Sequence, residues 1–128
     1  MAKDYDIIAR FNGGANAGHT IKVKDKKFFF HLVPSGILHE KSMNIIGNGC
    51  VVDIFNLLKE LKQVEKENID WHNRLLISDK AHMTLLGHYE IERIFEERLN
   101  LGTTKKAIGT TYATKFLRFN LRYEDLMN

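Results

Sequence analysis

The stretch from Arg10 to Thr20 constrains the fold more than any other part of the chain. It reads RFNGGANAGHT and follows a short apolar run, Asp6 to Phe11, that is typical of a buried strand. Glycines at this density let a backbone approach a ligand closely, and open α/β sheets bind ligands in the loops that follow their strands. Asn16, His19 and Thr20 add an amide, an imidazole and a hydroxyl. The stretch predicts a phosphate- or nucleotide-handling loop or, alternatively, a structural turn, and it matches neither GxGxxG nor GxxxxGK[ST].

Composition narrows the class of protein. A chain of 128 residues that is 44% hydrophobic and 27% charged suits a single globular domain. The net charge is only +3 and the basic residues lie among carboxylates, which argues against a nucleic acid partner. The single cysteine, Cys50, suits a reducing compartment and is predicted to be a buried apolar residue. With no apolar run long enough to span a membrane and no signal-peptide pattern, we expect a cytoplasmic protein without a membrane partner.

Strands alternate with helices along the chain. The predicted strands are Asp6–Phe11, a hairpin of Thr20–Val23 and Lys27–Leu32 around a turn at residues 24–26, then Met43–Ile46 and Leu75–Ile77. Asp53 is the predicted N-cap of a helix with an apolar stripe of Ile54, Leu57, Leu58, Leu61 and Val64 and a solvated face that includes Glu60. A second helix runs over Leu85–Leu99 with Glu92 and Glu96 outside, and a basic helical segment covers Thr111–Arg122. This alternation predicts an α/β fold with a mostly parallel sheet and flanking helices.

A second glycine- and threonine-rich loop spans residues 102–109. It offers Thr103, Thr104 and Lys106, and Arg118 and Arg122 follow shortly after. Hydroxyls, loop amides and guanidinium groups suit phosphate oxygens, although exposed helix charges are an alternative reading of the two arginines.

The histidines form no zinc motif. None of the six makes an HxxxH or HExxH pattern. His82 and His88, on either side of a helix start, are predicted to be capping or surface residues.

Several segments together resemble one family, adenylosuccinate synthase. They occur in the family's order, at family-like spacing, and cover nearly the whole chain. The segments are residues 11–20 (FNGGANAGHT), 30–37 (FHLVPSGI), 46–49 (IGNG), 75–82 (LLISDKAH) and 102–106 (GTTKK). Asp70-Trp71 and Lys105-Lys106 are more similar to the eukaryotic branch than to the bacterial one.

The resemblance implies a P-loop-like synthetase fold and a ligase of purine nucleotide and AMP biosynthesis. Such an enzyme joins IMP and L-aspartate to form adenylosuccinate, with GTP as co-substrate, Mg²⁺ as the metal and a homodimer as the assembly. GTP phosphorylates the 6-oxygen of IMP, and aspartate then displaces that phosphate.

The resemblance also assigns roles to residues. His19 matches the catalytic general acid, and Gly18, His19 and Thr20 match the GTP/phosphate loop. The backbone carbonyl of Gly18 matches a metal ligand. Asn16 and Thr104 match contacts to the IMP phosphate, and Arg118 matches the arginine that reaches IMP in the neighbouring subunit.

The chain also departs from the family's pattern. Residues 1–128 are predicted to be one partial domain shortened at both ends, without the family's first strand and its Gly-Asp-Glu-Gly-Lys-Gly loop, and therefore inactive alone. The alternative is a non-catalytic relative that binds IMP or pairs with a full-length subunit. Ala107 and Thr110 stand where the family has glycine and proline, and Phe116 and Phe119 replace small residues around Arg118.

Overall fold

A computed structural model describes residues 2–23 and 25–126. The strands and helices, in chain order, are β1 (Ile7–Arg10), β2 (His19–Val23), β3 (Lys26–Phe30), β4 (Met43–Ile46), β5 (Val51–Val52), α1 (Ile54–Lys66), β6 (Leu75–Ile77), β7 (His82–Met83), α2 (Leu86–Leu99) and α3 (Ile108–Phe116). Short 3-10 turns occupy Ala2–Asp4, Ser35–Leu38 and Tyr123–Leu126. Among these described residues, no helix combines the length and apolar character needed to cross a membrane.

The main sheet is parallel, which confirms the predicted α/β class. Its order is β1-β4-β6, with Arg10 opposite Ile46 and Ile46 opposite Ile77. Strand β4 has a neighbour on each side, and its Ile46 is fully buried. All three strands point the same way, so the loops that follow them meet at one edge of the sheet.

The same three segments pair again after these loops. Gly13 forms an isolated parallel bridge with Cys50, and β5 pairs with β7 through Val51 and His82. Each segment therefore leaves the main sheet in a loop and then pairs in parallel a second time. Within these loops the backbones approach closely, since a Cβ on Gly49 would overlap with the carbonyl oxygen of Phe11.

Helix α1 covers the core from one side. The side chain of Asp53 caps it by accepting from the backbone N–H of Asn56 at 3.1 Å, as predicted. Leu57, Leu61 and Val64 are buried in the core together with Phe28, Phe30, Leu32, Val33 and Ile37. Two predictions for this helix were wrong, because Leu58 is exposed and Glu60 is buried.

The β2–β3 hairpin forms as predicted, but both strands begin one residue earlier than predicted and β3 ends two residues earlier, at Phe30. His19 pairs with Phe30 and Val23 with Lys26, while Lys24 of the predicted turn lies outside the described residues. Of the three consecutive phenylalanines, Phe28 and Phe30 are buried and Phe29 is half exposed. The alternation of side chains along a strand places the middle ring on the outer face.

The C-terminal third differs most from the prediction. The helix expected over Thr111–Arg122 instead spans Ile108–Phe116, and Arg118 beyond it has a left-handed φ of 65°. On α2 the predicted inside and outside are partly exchanged, because Glu92 is buried while Ile91 and Phe95 are exposed. The buried face of α3 is polar, built from Thr110, Thr111 and Thr114.

Candidate functional site

The backbone of the first loop is held by the side chain of Arg10, the last residue of β1. Its Nε donates to the carbonyl of Asn12 at 3.2 Å and its Nη2 to the carbonyl of Gly14 at 2.7 Å. Its Nη1 donates to the carbonyl of His31, which follows β3. One guanidinium therefore fixes the shape of the glycine-rich turn and ties it to the hairpin.

Gly13 and Gly14 form the inner wall of the loop. Gly13 has a left-handed φ of 79°, which glycine adopts without strain, and its carbonyl accepts from the N–H of Val51 at 2.9 Å. A Cβ on Gly14 would lie 2.7 Å from Val51 Cγ2 and 2.6 Å from Ile108 Cδ1. The first loop therefore packs directly on the start of α3, which follows the second loop.

The outer part of the first loop faces solvent. Asn16, Gly18 and Thr20 are exposed, whereas Ala15 beneath them is buried. The polar groups that the sequence marked as ligand contacts are thus accessible, and the loop forms an open surface above a packed base.

His19 begins β2 and is partly buried, with its ring edge-on to Phe30 at 6.1 Å between centroids. Burial lowers the pKa of His19, and the nearby charge of Arg10 lowers it further, while the carboxylate of Glu60 acts in the opposite direction. The imidazole is therefore neutral at pH 7 and offers a ring N–H as a hydrogen-bond donor. An anion bound beside it would raise its pKa and favour the protonated form.

Glu60 holds the segment that supports Gly18. Its carboxylate accepts from the backbone N–H groups of His31 at 2.7 Å, Leu32 at 3.0 Å and Val33 at 2.9 Å. The ring Nδ1 of His31 lies 3.3 Å from the same carboxylate, and its Nε2 would be 3.1 Å from a Cβ on Gly18. No local pattern distinguishes Glu60 as a support of the site, because it stands in a run of charged residues on an amphipathic helix.

Two carboxylates of α2 hold the second loop. Glu96 accepts from the N–H groups of Gly102 at 2.9 Å and Thr103 at 3.2 Å, and Glu92 accepts from the N–H of Ala107 at 2.7 Å. These backbone bonds lower the pKa of the Glu96 carboxyl. The loop is thereby fixed at both ends, with Thr104 exposed between them.

The structure brings the two loops into contact but leaves Thr104 and Arg118 apart from the first loop. Both side chains are exposed, and within residues 2–23 and 25–126 no hydrogen bond joins either of them to residues 11–20. Arg122 is also exposed, which agrees with the alternative interpretation of an exposed charge, and its Nη1 lies 3.5 Å from Oε1 of Glu124. Neither arginine belongs to a helix, contrary to the predicted segment.

The histidine predictions were half right. His88 caps α2, since its Nδ1 accepts from the N–H of Leu85 at 2.9 Å, but it is buried. His82 is buried too and is not a surface residue. Burial lowers the pKa of both rings.

The residues do not form a magnesium site on their own. In the part of the chain that the structure describes, no three side chains of His, Cys, Asp or Glu lie close enough to share a metal ion. Mg²⁺ requires several oxygen ligands in octahedral geometry, and a backbone carbonyl, such as that of the exposed Gly18, can supply at most one of them.

A parallel sheet with glycine-rich polar loops at its carboxyl edge defines the class of the protein: an α/β protein built to bind a ligand at that edge. The family whose sequence model matches the chain is described as adenylosuccinate synthetase, and the match spans residues 1–128. The chain belongs to the adenylosuccinate synthetase family.

Individual relatives agree with this assignment. An adenylosuccinate synthetase of Paramecium tetraurelia is 50% identical over 131 residues, covering 100% of this chain and 30% of the relative. One of Phytophthora infestans (strain T30-4) is 48% identical, covering 98% of this chain and 23% of the relative. The chain thus spans less than a third of the length of these curated relatives.

Solved structures agree on the fold. The fully ligated adenylosuccinate synthetase from Plasmodium falciparum superposes with a TM-score of 0.88 at 41% identity, over 99% of this chain and 30% of that one. A cyanophage S-2L succinoaminodeoxyadenylate synthetase, bound to dGMP and dATP, gives a TM-score of 0.67 at 23% identity over 88% of this chain and 31% of that one. This second likeness concerns the fold alone.

Proposed function

We propose that the chain supplies the IMP-phosphate and proton-donating part of an adenylosuccinate synthetase site. In this proposal GTP phosphorylates the 6-oxygen of IMP and L-aspartate displaces the phosphate, in a cytoplasmic homodimeric ligase. The observation that carries the proposal is the contact between the two loops at one edge of the sheet, through Gly14 and Ile108, in a member of this family.

His19 has the chemistry that this role needs. Its neutral ring donates a hydrogen bond to the 6-oxygen of IMP, and its pKa rises as negative charge develops beside it, which favours holding the proton there. Phosphoryl transfer depends mainly on positioning and charge stabilisation, and the fixed backbone of the first loop provides the former. Mg²⁺, when bound, would neutralise phosphate charge, with the carbonyl of Gly18 as one ligand.

The two loops divide the phosphate between them. Asn16 and Thr104 are exposed polar side chains on loops whose backbones are hydrogen-bonded to buried or partly buried side chains. Ligand contacts from such fixed supports cost little ordering entropy on binding. Arg118, exposed and outside any helix, would reach IMP in the neighbouring subunit.

Calorimetry with IMP on the purified chain tests the proposal. We expect IMP to bind, and Thr104→Ala to weaken it by about tenfold or more, as for loss of a hydrogen bond to a charged group. His19→Asn should weaken binding by less, because it removes a contact to the neutral base. His72→Asn, at a histidine exposed far along the chain, is the matched control and should leave affinity unchanged.

Arg118→Leu adds a test of the subunit contact. It should weaken IMP binding only at protein concentrations where the chain is dimeric, whereas Arg98→Leu, an exposed arginine at the end of α2, should not. A folded chain that does not bind IMP would refute the proposed function.

A second function is favoured by the apolar surface at the C-terminal end of α3. Phe116, Leu117 and Phe119 are 75%, 67% and 68% exposed. Such a patch suits association with another adenylosuccinate synthetase subunit, the role of a non-catalytic partner. Sedimentation of the chain with a full-length synthetase, compared with Phe119→Ser, tests it; the absence of a complex with the unchanged chain would exclude it.

A further inference from the structure

The hydroxyl of Tyr112 joins two of the loops at the carboxyl edge of the sheet. It accepts from the N–H of Gly13 at 2.8 Å and donates to the carbonyl of Gly49 at 2.7 Å. The first group belongs to the loop after β1 and the second to the loop after β4. Burial raises the pKa of Tyr112, so the hydroxyl keeps its proton and its role as donor.

Tyr112 is one of three residues on the same face of α3 that contact these loops. Ile108 packs on Gly14, and Lys115 Nζ lies 3.4 Å from the carbonyl of Asn48. Positions 108, 112 and 115 are spaced i, i+4 and i+7, which places their side chains in one row. The helix therefore contacts the loop after β1 and the loop after β4 along its whole length.

Helix α3 is also the continuation of the second loop. The N–H of Ala107 is bound by Glu92, and the carbonyl of Ala107 accepts from the hydroxyls of Thr110 at 3.1 Å and Thr111 at 2.6 Å. These short-range bonds make the end of the loop and the first turn of the helix one rigid unit. A shift of the second loop must then move Tyr112 against Gly13.

We propose that Tyr112 is a positioning residue that couples the first loop (residues 11–20) to the second loop (residues 102–109), so that ligand contacts at Thr104 and at the first loop strengthen each other. The proposal rests on the proposed function, in which both loops bind the phosphate of IMP. Without the hydroxyl the two loops would still be near each other but would bind independently.

A double-mutant cycle on IMP affinity tests the coupling. The four proteins are the unchanged chain, Tyr112→Phe, Thr104→Ala and the double variant. We expect Tyr112→Phe to weaken IMP by about tenfold, and Thr104→Ala to have an effect at least about threefold smaller in the Tyr112→Phe background. Additive effects within about a factor of two would overturn the proposal.

Tyr89→Phe is the matched control for the loss of a bonded hydroxyl. The hydroxyl of Tyr89 bonds to Asp53, the N-cap of α1, and among the described residues it makes no hydrogen bond to residues 11–20 or 102–109. This variant should show additive behaviour with Thr104→Ala even if it lowers thermal stability. Coupling of equal size in Tyr89→Phe would show a general stability effect and contradict a specific role of Tyr112.

A second measurement needs no change at Tyr112. The ring ¹³Cζ resonance of Tyr112 reports on the hydrogen bonds of its hydroxyl, and it should shift when IMP is added to the unchanged chain. Thr104→Ala should remove most of that shift at saturating IMP, while an unaltered shift would contradict the coupling. If IMP does not bind the unchanged chain, both the proposed function and the coupling are wrong; if it binds and the cycle is additive, only the coupling is wrong.

Discussion

Replacing Glu60 by glutamine tests whether a buried carboxylate supports the candidate site. Glu60 is 3% exposed, and one of its oxygens accepts from the N–H of His31 while the other accepts from those of Leu32 and Val33. Glutamine has a single acceptor oxygen, so its NH₂ group must face at least one of these N–H donors. Each buried donor left without a partner costs about 1–3 kcal/mol.

We therefore expect Glu60→Gln to lower the free energy of unfolding by about 2–4 kcal/mol, because one or two amide groups lose their acceptor. For a chain of this length that corresponds to a Tm lower by about 10 °C. Urea and thermal unfolding followed by circular dichroism measure both quantities. The carboxylate also raises the pKa of His19, so the same variant should lower that pKa, as followed by NMR titration.

Glu65→Gln on the same helix is the control. Glu65 is exposed and accepts from Trp71 Nε1 at 2.9 Å, a bond that a glutamine oxygen can replace, so the change should stay within about 0.5 kcal/mol. If Glu60→Gln is no more destabilising than Glu65→Gln, the three amide bonds do not hold residues 31–33, and the reasoning about Gly18 fails with them.

Three further predictions concern other elements. Gly109→Ala should raise the free energy of unfolding by about 0.5–1 kcal/mol, since a Cβ there meets open space on a helix. Gly14→Ala should lower it by about 1–3 kcal/mol, because its Cβ would overlap with Ile108 and Val51. If urea unfolding shows that both variants change the free energy of unfolding in the same direction, this reasoning is wrong. The pKa of His88 is lowered in the folded chain, so the contribution of this ring to stability is complete above about pH 6.5 and declines below it, because the ring of the unfolded chain takes up a proton. His88→Gln should therefore flatten the dependence of Tm on pH in this range. An unchanged slope would exclude the His88 ring as its source. Asp53→Ala should cost about 1 kcal/mol by removing the cap of α1, measured by urea unfolding, and a loss below about 0.3 kcal/mol would contradict the capping role.

The sheet could be predicted from the sequence because its signals are local. Met43–Ile46 and Leu75–Ile77 are short apolar runs bounded by polar turns, and both strands have the predicted bounds. The cap of α1 by Asp53 likewise depends on neighbours three residues away. The first loop could be recognised because only glycine fits where two backbones approach closely, so the loop contains three glycines within ten residues.

The supports of the site could not be predicted, because they depend on contacts between distant residues. Glu60 reaches residues 31–33, and Glu92 reaches Ala107, yet both read as members of a solvated helical face. Helical periodicity assigns a charged residue to the solvent-exposed face, and only the tertiary fold shows that a backbone N–H of a distant loop lies within hydrogen-bond distance of it. The end of α3 was missed for a related reason: Arg118 adopts a left-handed φ of 65°, although no glycine, asparagine or proline stands at residues 110–118 to signal the end of a helix.

Ala107 and Thr110, which are expected from the sequence to replace a glycine and a proline of the family, are hydrogen-bonded to each other in the structure. Ala107 has a left-handed φ of 56°, which a glycine adopts without strain and which costs an alanine about 1–2 kcal/mol. The single hydroxyl proton of Thr110 is shared between the carbonyls of Ala107 at 3.1 Å and His88 at 3.0 Å, an interaction that a proline at this position could not make. The hydroxyl thus bonds to the turn that the alanine strains, and a hydrogen bond worth about 0.5–1.5 kcal/mol offsets part of the cost. The Thr110 hydroxyl therefore stabilises the end of the second loop, which leads directly into the helix that carries Tyr112.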